Sequence, residues 1–134
     1  MKKFLLILLL FSLNITNVYS LEADVFIQST VNRAAETLNG SLTKEQRIEK
    51  LKEIAKETVD IKGIGFYSLG SHRKNVSKDQ LTSYMNIFEE YFLKSFSSRL
   101  AEYSNPEIEV NSKKKLNESY TIVSSTLVLS LIHI

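Results

Sequence analysis

The pattern of apolar and polar residues divides the chain into helical segments followed by strand-like segments. Apolar residues recur at the spacing of an amphipathic helix in most of the first hundred residues. The segments predicted to be helices are residues 24–38, 43–59, 60–69 and 77–103. Asn39-Gly40 and Asn105-Pro106 follow the first and the last segment, where such residues end helices.

Polar residues that can satisfy free backbone N–H groups stand at the start of three of these segments. Thr43 with Gln46, and Ser77 with Gln80, have the spacing of a capping box. In this motif each side chain accepts a hydrogen bond from the backbone N–H of the other residue. Asp60 is expected to cap the third segment in the simpler way, through its own carboxylate.

Glycines mark the third helical segment. Gly63 and Gly65 lie inside it, where each weakens an isolated helix by about 1 kcal/mol relative to alanine. Their presence predicts close packing against another element or against a ligand. Gly70 follows the segment and is expected to take the left-handed backbone conformation that ends a helix.

The longest segment carries more apolar residues than one core-facing stripe needs. Its apolar residues are Leu81, Tyr84, Met85, Ile87, Phe88, Tyr91, Phe92, Leu93, Phe96, Leu100 and Tyr103. Five of those between positions 84 and 96 are aromatic. From the pattern alone, ordinary core packing is the favoured interpretation, and the lining of an apolar cavity is the alternative.

After Pro106 the pattern becomes strand-like. Ile108 and Val110 alternate with glutamates, residues 111–118 form a polar, Lys-rich stretch predicted to be a connection, and residues 120–131 are rich in β-branched side chains. Two strands alone are marginally stable, and an apolar strand without a partner promotes aggregation. The sequence is therefore expected to be cut short, with further strands missing.

The first twenty residues are predicted to be a secretory signal peptide. Lys2 and Lys3 precede an apolar run of about ten residues, too short to span a bilayer, and the cut is placed after Ser20. Residues 21–134 then form one domain, which we expect to function outside the cytoplasm. Removing the two lysines leaves 15 Lys+Arg against 15 Asp+Glu, so charge gives no support for nucleic-acid binding.

The chain offers little catalytic chemistry. It has no cysteine, and its His, Asp and Glu residues lack metal-ligand spacing. Glu89 and Glu90 are interpreted as solvated surface charge, since neighbouring helix residues point about 100° apart. The pair Arg73-Lys74 is interpreted as surface charge, with phosphate binding as the alternative. We expect a protein without catalysis, cofactor or metal ion.

Residues 60–110 resemble the MlaC family, also called the toluene-tolerance auxiliary family, and a weaker similarity extends over residues 24–130. The residues that carry the resemblance are Asp60, Leu69, Gly70, Arg73 or Lys74, Ser77, Lys78, Asp79, Gln80, Leu81, Phe88, Leu93, Phe96, Leu100 and Tyr103. His72 departs from the aromatic residue usual in the family, and Phe96 stands where a tyrosine is frequent. From Leu131 onward the sequence leaves the family pattern.

The resemblance implies an α+β fold in which N-terminal helices wrap around a twisted antiparallel sheet, incomplete in this chain. It implies a periplasmic phospholipid carrier that serves an ABC-type intermembrane lipid transport system maintaining outer-membrane lipid asymmetry. The implied partners are an inner-membrane ABC transporter complex and an outer-membrane lipid-asymmetry complex. The residues expected to contact lipid are Phe66, Leu69, Tyr84, Phe88, Tyr91, Phe92 and Val123.

Two other function classes remain open from the sequence. An exported helical chaperone or adaptor would bind protein through the same aromatic face. An enzyme on a cone-shaped α+β fold would need ionisable groups inside its cavity, and the chain shows none with a clear inward position apart from tyrosine hydroxyls.

If the chain is cut short, residues 21–134 should be poorly soluble, because the apolar strand after Tyr120 keeps an unpaired edge. Size-exclusion chromatography of the purified fragment is expected to show associated species. A cooperative, stable monomer would contradict the expectation of missing strands.

Overall fold

The computed structural model describes residues 22–128, which form four α-helices, one 3₁₀ helix and two strands. The helices are α1 (Ala23–Asn39), α2 (Lys44–Thr58), α3 (Ile61–Ser68) and α4 (Lys78–Leu100), with the 3₁₀ helix Gly70–Lys74 between the last two; the strands are β1 (Glu107–Lys115) and β2 (Thr121–Val128). The predicted α+β class is confirmed. The predicted signal peptide and the residues after Val128 lie outside the described residues.

The predicted helix starts are confirmed. Thr43 Oγ1 accepts from the Gln46 N–H at 3.3 Å, and the Thr43 N–H donates to Gln46 Oε1 at 3.0 Å. Ser77 forms the same capping box at the start of α4. Asp60 accepts from the backbone N–H of Gly63 at 2.9 Å. Each cap satisfies N–H groups that have no partner inside the helix.

Gly70 lies at φ +54°, the left-handed conformation expected after α3. The chain then enters the 3₁₀ helix, which the sequence pattern did not predict because it has no apolar periodicity. This short element occupies the connection between α3 and the Ser77 cap.

The core consists of two small clusters that share α2. One joins Leu38, Leu51 and Ala101, and the other joins Ala55, Ile61 and Leu93. The buried residues of α2 contribute to both, and its opposite face carries exposed charged side chains. Ser97 is fully buried, and its hydroxyl donates to the Leu93 carbonyl at 2.6 Å, so its burial leaves no unpaired donor.

The strands form an open antiparallel hairpin with a register shift between Val110 and Ser112. The prediction that residues 111–118 are a connection is wrong for 111–115, which extend β1. Lys113 pairs with Val123 and Lys115 pairs with Thr121. Residues 111–115 are exposed, so backbone hydrogen bonds hold this part of the strand without the apolar alternation on which the prediction rested.

The sheet packs against α1, and its Ile108, Val110 and Val123 side chains are half-buried. Lys113 adds polar contacts between β1 and the start of α1. Its ammonium group donates hydrogen bonds to Glu22 at 2.7 Å and to Asp24 at 2.9 Å. The hydrogen bond from Lys113 lowers the pKa of Asp24, so the contact between Lys113 and Asp24 is retained until the pH falls through that lowered pKa.

The cap of α4 gives a direct test of its assigned start. Ser77→Ala should lower the free energy of unfolding by about 1 kcal/mol, because the Gln80 N–H loses its acceptor. Ser83→Ala, at an exposed interior position of the same helix, should leave stability unchanged or raise it slightly. Chemical denaturation measures both variants. Equal effects at the two positions would show that Ser77 is not acting as a cap.

Candidate functional site

Four aromatic side chains form a continuous row along one face of α4. They are Tyr84, Phe88, Phe92 and Phe96, spaced four residues apart, which places them on neighbouring turns of the helix. Their successive ring centroids are 5.8, 6.2 and 5.5 Å apart. These are contact distances for aromatic pairs, so the side chains form one apolar surface. We call these four residues the aromatic row.

Close packing of α3 on α4 positions this row. Phe88 and Phe92 pack against the core cluster of Ala55, Ile61 and Leu93. At Gly65, a Cβ would lie 2.8 Å from Phe88 Cδ1 and 3.2 Å from Met85 Sδ. The glycine therefore permits a helix approach that a larger residue would obstruct, which confirms the predicted close packing at this position.

The aromatic row remains partly accessible to solvent. Tyr84, Phe88 and Phe92 are half-buried, and Phe96 is 38% exposed. By contrast, Leu51 in the core is 1% exposed. One side of the row thus completes the core, whereas the other side presents aromatic surface. Such a surface can bind an apolar chain by contact and burial, without any chemical step.

The other residues predicted on α3 and α4 lie off the row. Tyr91 is 67% exposed. Phe66 is 42% exposed, and the Arg73 guanidinium carbon lies 5.4 Å from its ring centroid, as in a cation–π contact. Leu69 is half-buried at the C-terminal end of α3.

Val123 belongs to a separate cleft between α1 and β2. The cleft has a volume of about 340 Å³ and is lined by Ala23, Phe26, Ile27, Ser119, Thr121 and Val123. None of its lining residues comes from α4. The structure therefore places Val123 with α1 side chains rather than with the predicted aromatic contacts.

Sequence reasoning omitted three apolar residues of these surfaces from the predicted site. Phe96 continues the row, and its four-residue spacing from Phe92 signals a shared helix face but not that this face stays accessible. Phe26 and Ile27 line the second cleft. No comparable signal marks them, because their position opposite β2 depends on how the hairpin packs.

Another cleft, with a volume of about 660 Å³, lies on another side of α4. Its α4 residues include Asn86, Glu90 and Lys94, two positions from the aromatic row and hence about 200° around the helix. The residues of α2 that line it include Glu49 and Lys52, which form an ion pair of 2.7 Å. Charges of both signs line this cleft together with Ile48 and Leu93, and no aromatic ring contributes to it.

Residues 22–128 contain no group of three or more His, Cys, Asp or Glu side chains that could hold a metal ion. No helix in the same range combines the length and the apolar character needed to cross a bilayer.

Comparison with known proteins gives a family match over most of the chain. The family model described as MlaC protein matches residues 28–131. The matched region contains the whole aromatic row and Val123, whereas Phe26 and Ile27 lie just before it. The resemblance found from the sequence is thereby confirmed. No curated protein matches the chain, and no solved structure matches it.

The contact between Gly65 and Phe88 predicts that Gly65→Ala changes the free energy of unfolding in opposite directions in the presence and in the absence of the Phe88 ring. Gly65→Ala alone should lower the free energy of unfolding by about 1 kcal/mol, because overpacking outweighs the gain in helix propensity. In a Phe88→Ala background the closest contact is gone and only the flexible Met85 side chain, whose Sδ lies 3.2 Å from the added Cβ, has to shift, so the same substitution should stabilise by up to about 1 kcal/mol. Chemical denaturation of the four proteins measures the coupling. The same effect in both backgrounds would show that the two helices do not approach each other in this way.

Proposed function

Because the chain belongs to the MlaC family, we propose that it is a phospholipid carrier whose aromatic row binds acyl chains. The family comprises periplasmic lipid-binding proteins. The observation that carries the proposal is the half-open row of four aromatic side chains on α4. It offers a long apolar surface that the core does not bury.

The dimensions of the aromatic row support this ligand. From Tyr84 to Phe96 the helix rises about 18 Å, at about 1.5 Å per residue. One leaflet of a bilayer has a hydrocarbon thickness of about 15 Å, half of the full apolar core. An acyl chain extended along α4 therefore has the length to contact all four rings.

The energetics favour retention of lipid. Each methylene removed from water contributes about 0.8 kcal/mol, so even partial burial of two acyl chains holds the ligand in aqueous buffer. Binding and release require no covalent step, which agrees with the expectation that the protein is not an enzyme. The aromatic row is our proposed primary contact; Phe66, Leu69, Tyr91 and Val123 lie off it and stay predictions.

The wider role proposed for the protein follows from the family. Residues 1–20 would direct export, and residues 21–134 would act as one domain in the periplasm. There the carrier would serve as the auxiliary component of an ABC-type lipid transport system. It would exchange phospholipid with an inner-membrane ABC transporter complex and an outer-membrane lipid-asymmetry complex.

Lipid content tests the proposal directly. The protein purified from bacterial periplasm should carry phospholipid, detected by solvent extraction and mass spectrometry. A folded protein without lipid in repeated preparations would contradict the carrier function. A second protein that co-purifies with it instead of lipid would favour the chaperone or adaptor function.

A charge placed in the aromatic row should separate lipid binding from core packing. Phe88→Glu should reduce bound phospholipid while the fold survives, because an unpaired carboxylate repels acyl chains but reaches water at this half-open position. Ile87→Glu is the matched control, since Ile87 is 68% exposed and lies outside the row. Circular dichroism and lipid content are measured on the same samples. Loss of the fold only in Phe88→Glu would assign the row to the core and contradict the proposal.

A further inference from the structure

A basic segment stands apart from the balanced charge of the rest of the chain. Residues 61–78 contain no Asp or Glu. They contain Lys62, Arg73, Lys74 and Lys78, together with His72. None of these four Lys and Arg side chains forms an ion pair with a carboxylate of the described residues. The segment therefore presents uncompensated positive charge to solvent.

The same segment exposes aromatic side chains on the outer face of α3. Ile61 and Gly65 turn towards α4 and are buried. Lys62 and Phe66 lie one turn apart on a different side of the helix, and both are exposed. Tyr67 is 81% exposed, a higher value than any other large hydrophobic side chain of the described residues.

The 3₁₀ helix adds its basic residues to this face. The guanidinium group of Arg73 lies over the Phe66 ring, which joins the two elements into one surface. Lys74 follows directly and is exposed. We call Lys62, Phe66, Tyr67, Arg73 and Lys74 the basic aromatic surface.

We propose that the basic aromatic surface docks on the headgroup region of an anionic phospholipid bilayer. Lysine and arginine near such a surface are attracted by its negative potential, and tyrosine rings prefer the boundary between headgroups and acyl chains. An acidic protein would satisfy the charges, but it would not account for the exposed Tyr67 and Phe66 in the same segment. A bilayer does, because it is anionic at its surface and apolar beneath. Docking of this kind is peripheral and reversible.

The proposal goes beyond cargo binding, because it concerns α3 and the 3₁₀ helix rather than the aromatic row. The two sites are nevertheless close. Packed helices have axes about 8–10 Å apart, and α3 meets α4 at Gly65 and Phe88. A bilayer contacted by the outer face of α3 would therefore lie about one helix diameter from the row.

Vesicle flotation tests the docking. Protein purified from periplasm is mixed with vesicles of phosphatidylglycerol or of phosphatidylcholine and centrifuged through a density gradient, in which aggregates sink. Flotation is expected with phosphatidylglycerol at low salt and should weaken as salt screens the attraction. Absence of flotation with phosphatidylglycerol, or equal flotation with both lipids, would overturn the proposal.

Charge variants locate the contact. Arg73→Gln combined with Lys74→Gln should weaken partitioning to phosphatidylglycerol by roughly 30-fold, since each cation near an anionic surface contributes roughly fivefold. Lys50→Gln combined with Lys56→Gln removes the same charge from exposed positions of α2 and is the matched control. Equal losses in the two pairs would indicate a general charge effect and overturn the assignment to this surface.

Aromatic variants test the second component of the surface. Tyr67→Ser should weaken partitioning severalfold, whereas Tyr120→Ser, at a 67% exposed tyrosine of the hairpin, should not. Circular dichroism verifies that each variant is folded. Bound lipid measured by mass spectrometry on the same preparations keeps the two proposals separate, since docking can fail while cargo remains bound, and the reverse. Unchanged partitioning of Tyr67→Ser would contradict insertion of the ring.

Discussion

The close approach of α3 to α4 at Gly65 determines how the aromatic side chains of α4 are arranged. A Cβ at this position would lie 2.8 Å from Phe88, so any larger residue would force the helices apart or the ring aside. With glycine there, Phe88 and Phe92 contact the core cluster that includes Ile61 and Leu93. The same contact turns the outer face of α3, with Tyr67, towards solvent.

This arrangement divides the apolar residues of α4 between two uses. Leu93 is buried against α2 and α3, and its carbonyl accepts the hydroxyl of the fully buried Ser97. The aromatic row continues from this core but is only half-buried. Complete burial would leave no apolar surface for a ligand, whereas complete exposure would create an aggregation-prone patch. Partial burial keeps the rings ordered by packing and still available for binding.

Local chemistry explains which parts of the fold could be predicted. The caps at Thr43 and Ser77 are formed by residues three positions apart, so the sequence contains the whole interaction. The extension of β1 to Lys115 depends on pairing with β2, which no local pattern records. The site shows the same difference: the broad apolar face of α4 was evident, but the pattern did not distinguish exposed Tyr91 from Phe96, which continues the aromatic row. That distinction depends on where α2 and α3 contact the helix.

A carrier must release what it binds, and the proposed geometry addresses this requirement. An acyl chain that crosses water exposes its methylenes, each at a cost of about 0.8 kcal/mol, so passage through solvent is slow. A surface that holds the protein against a bilayer shortens the exposed path. The close packing at Gly65 places the outer face of α3 and the aromatic row on adjacent helices. The glycine that orders the row thus also limits the distance between the proposed cargo and the proposed membrane contact. If both proposals hold, a change that separates these two helices should also slow lipid exchange.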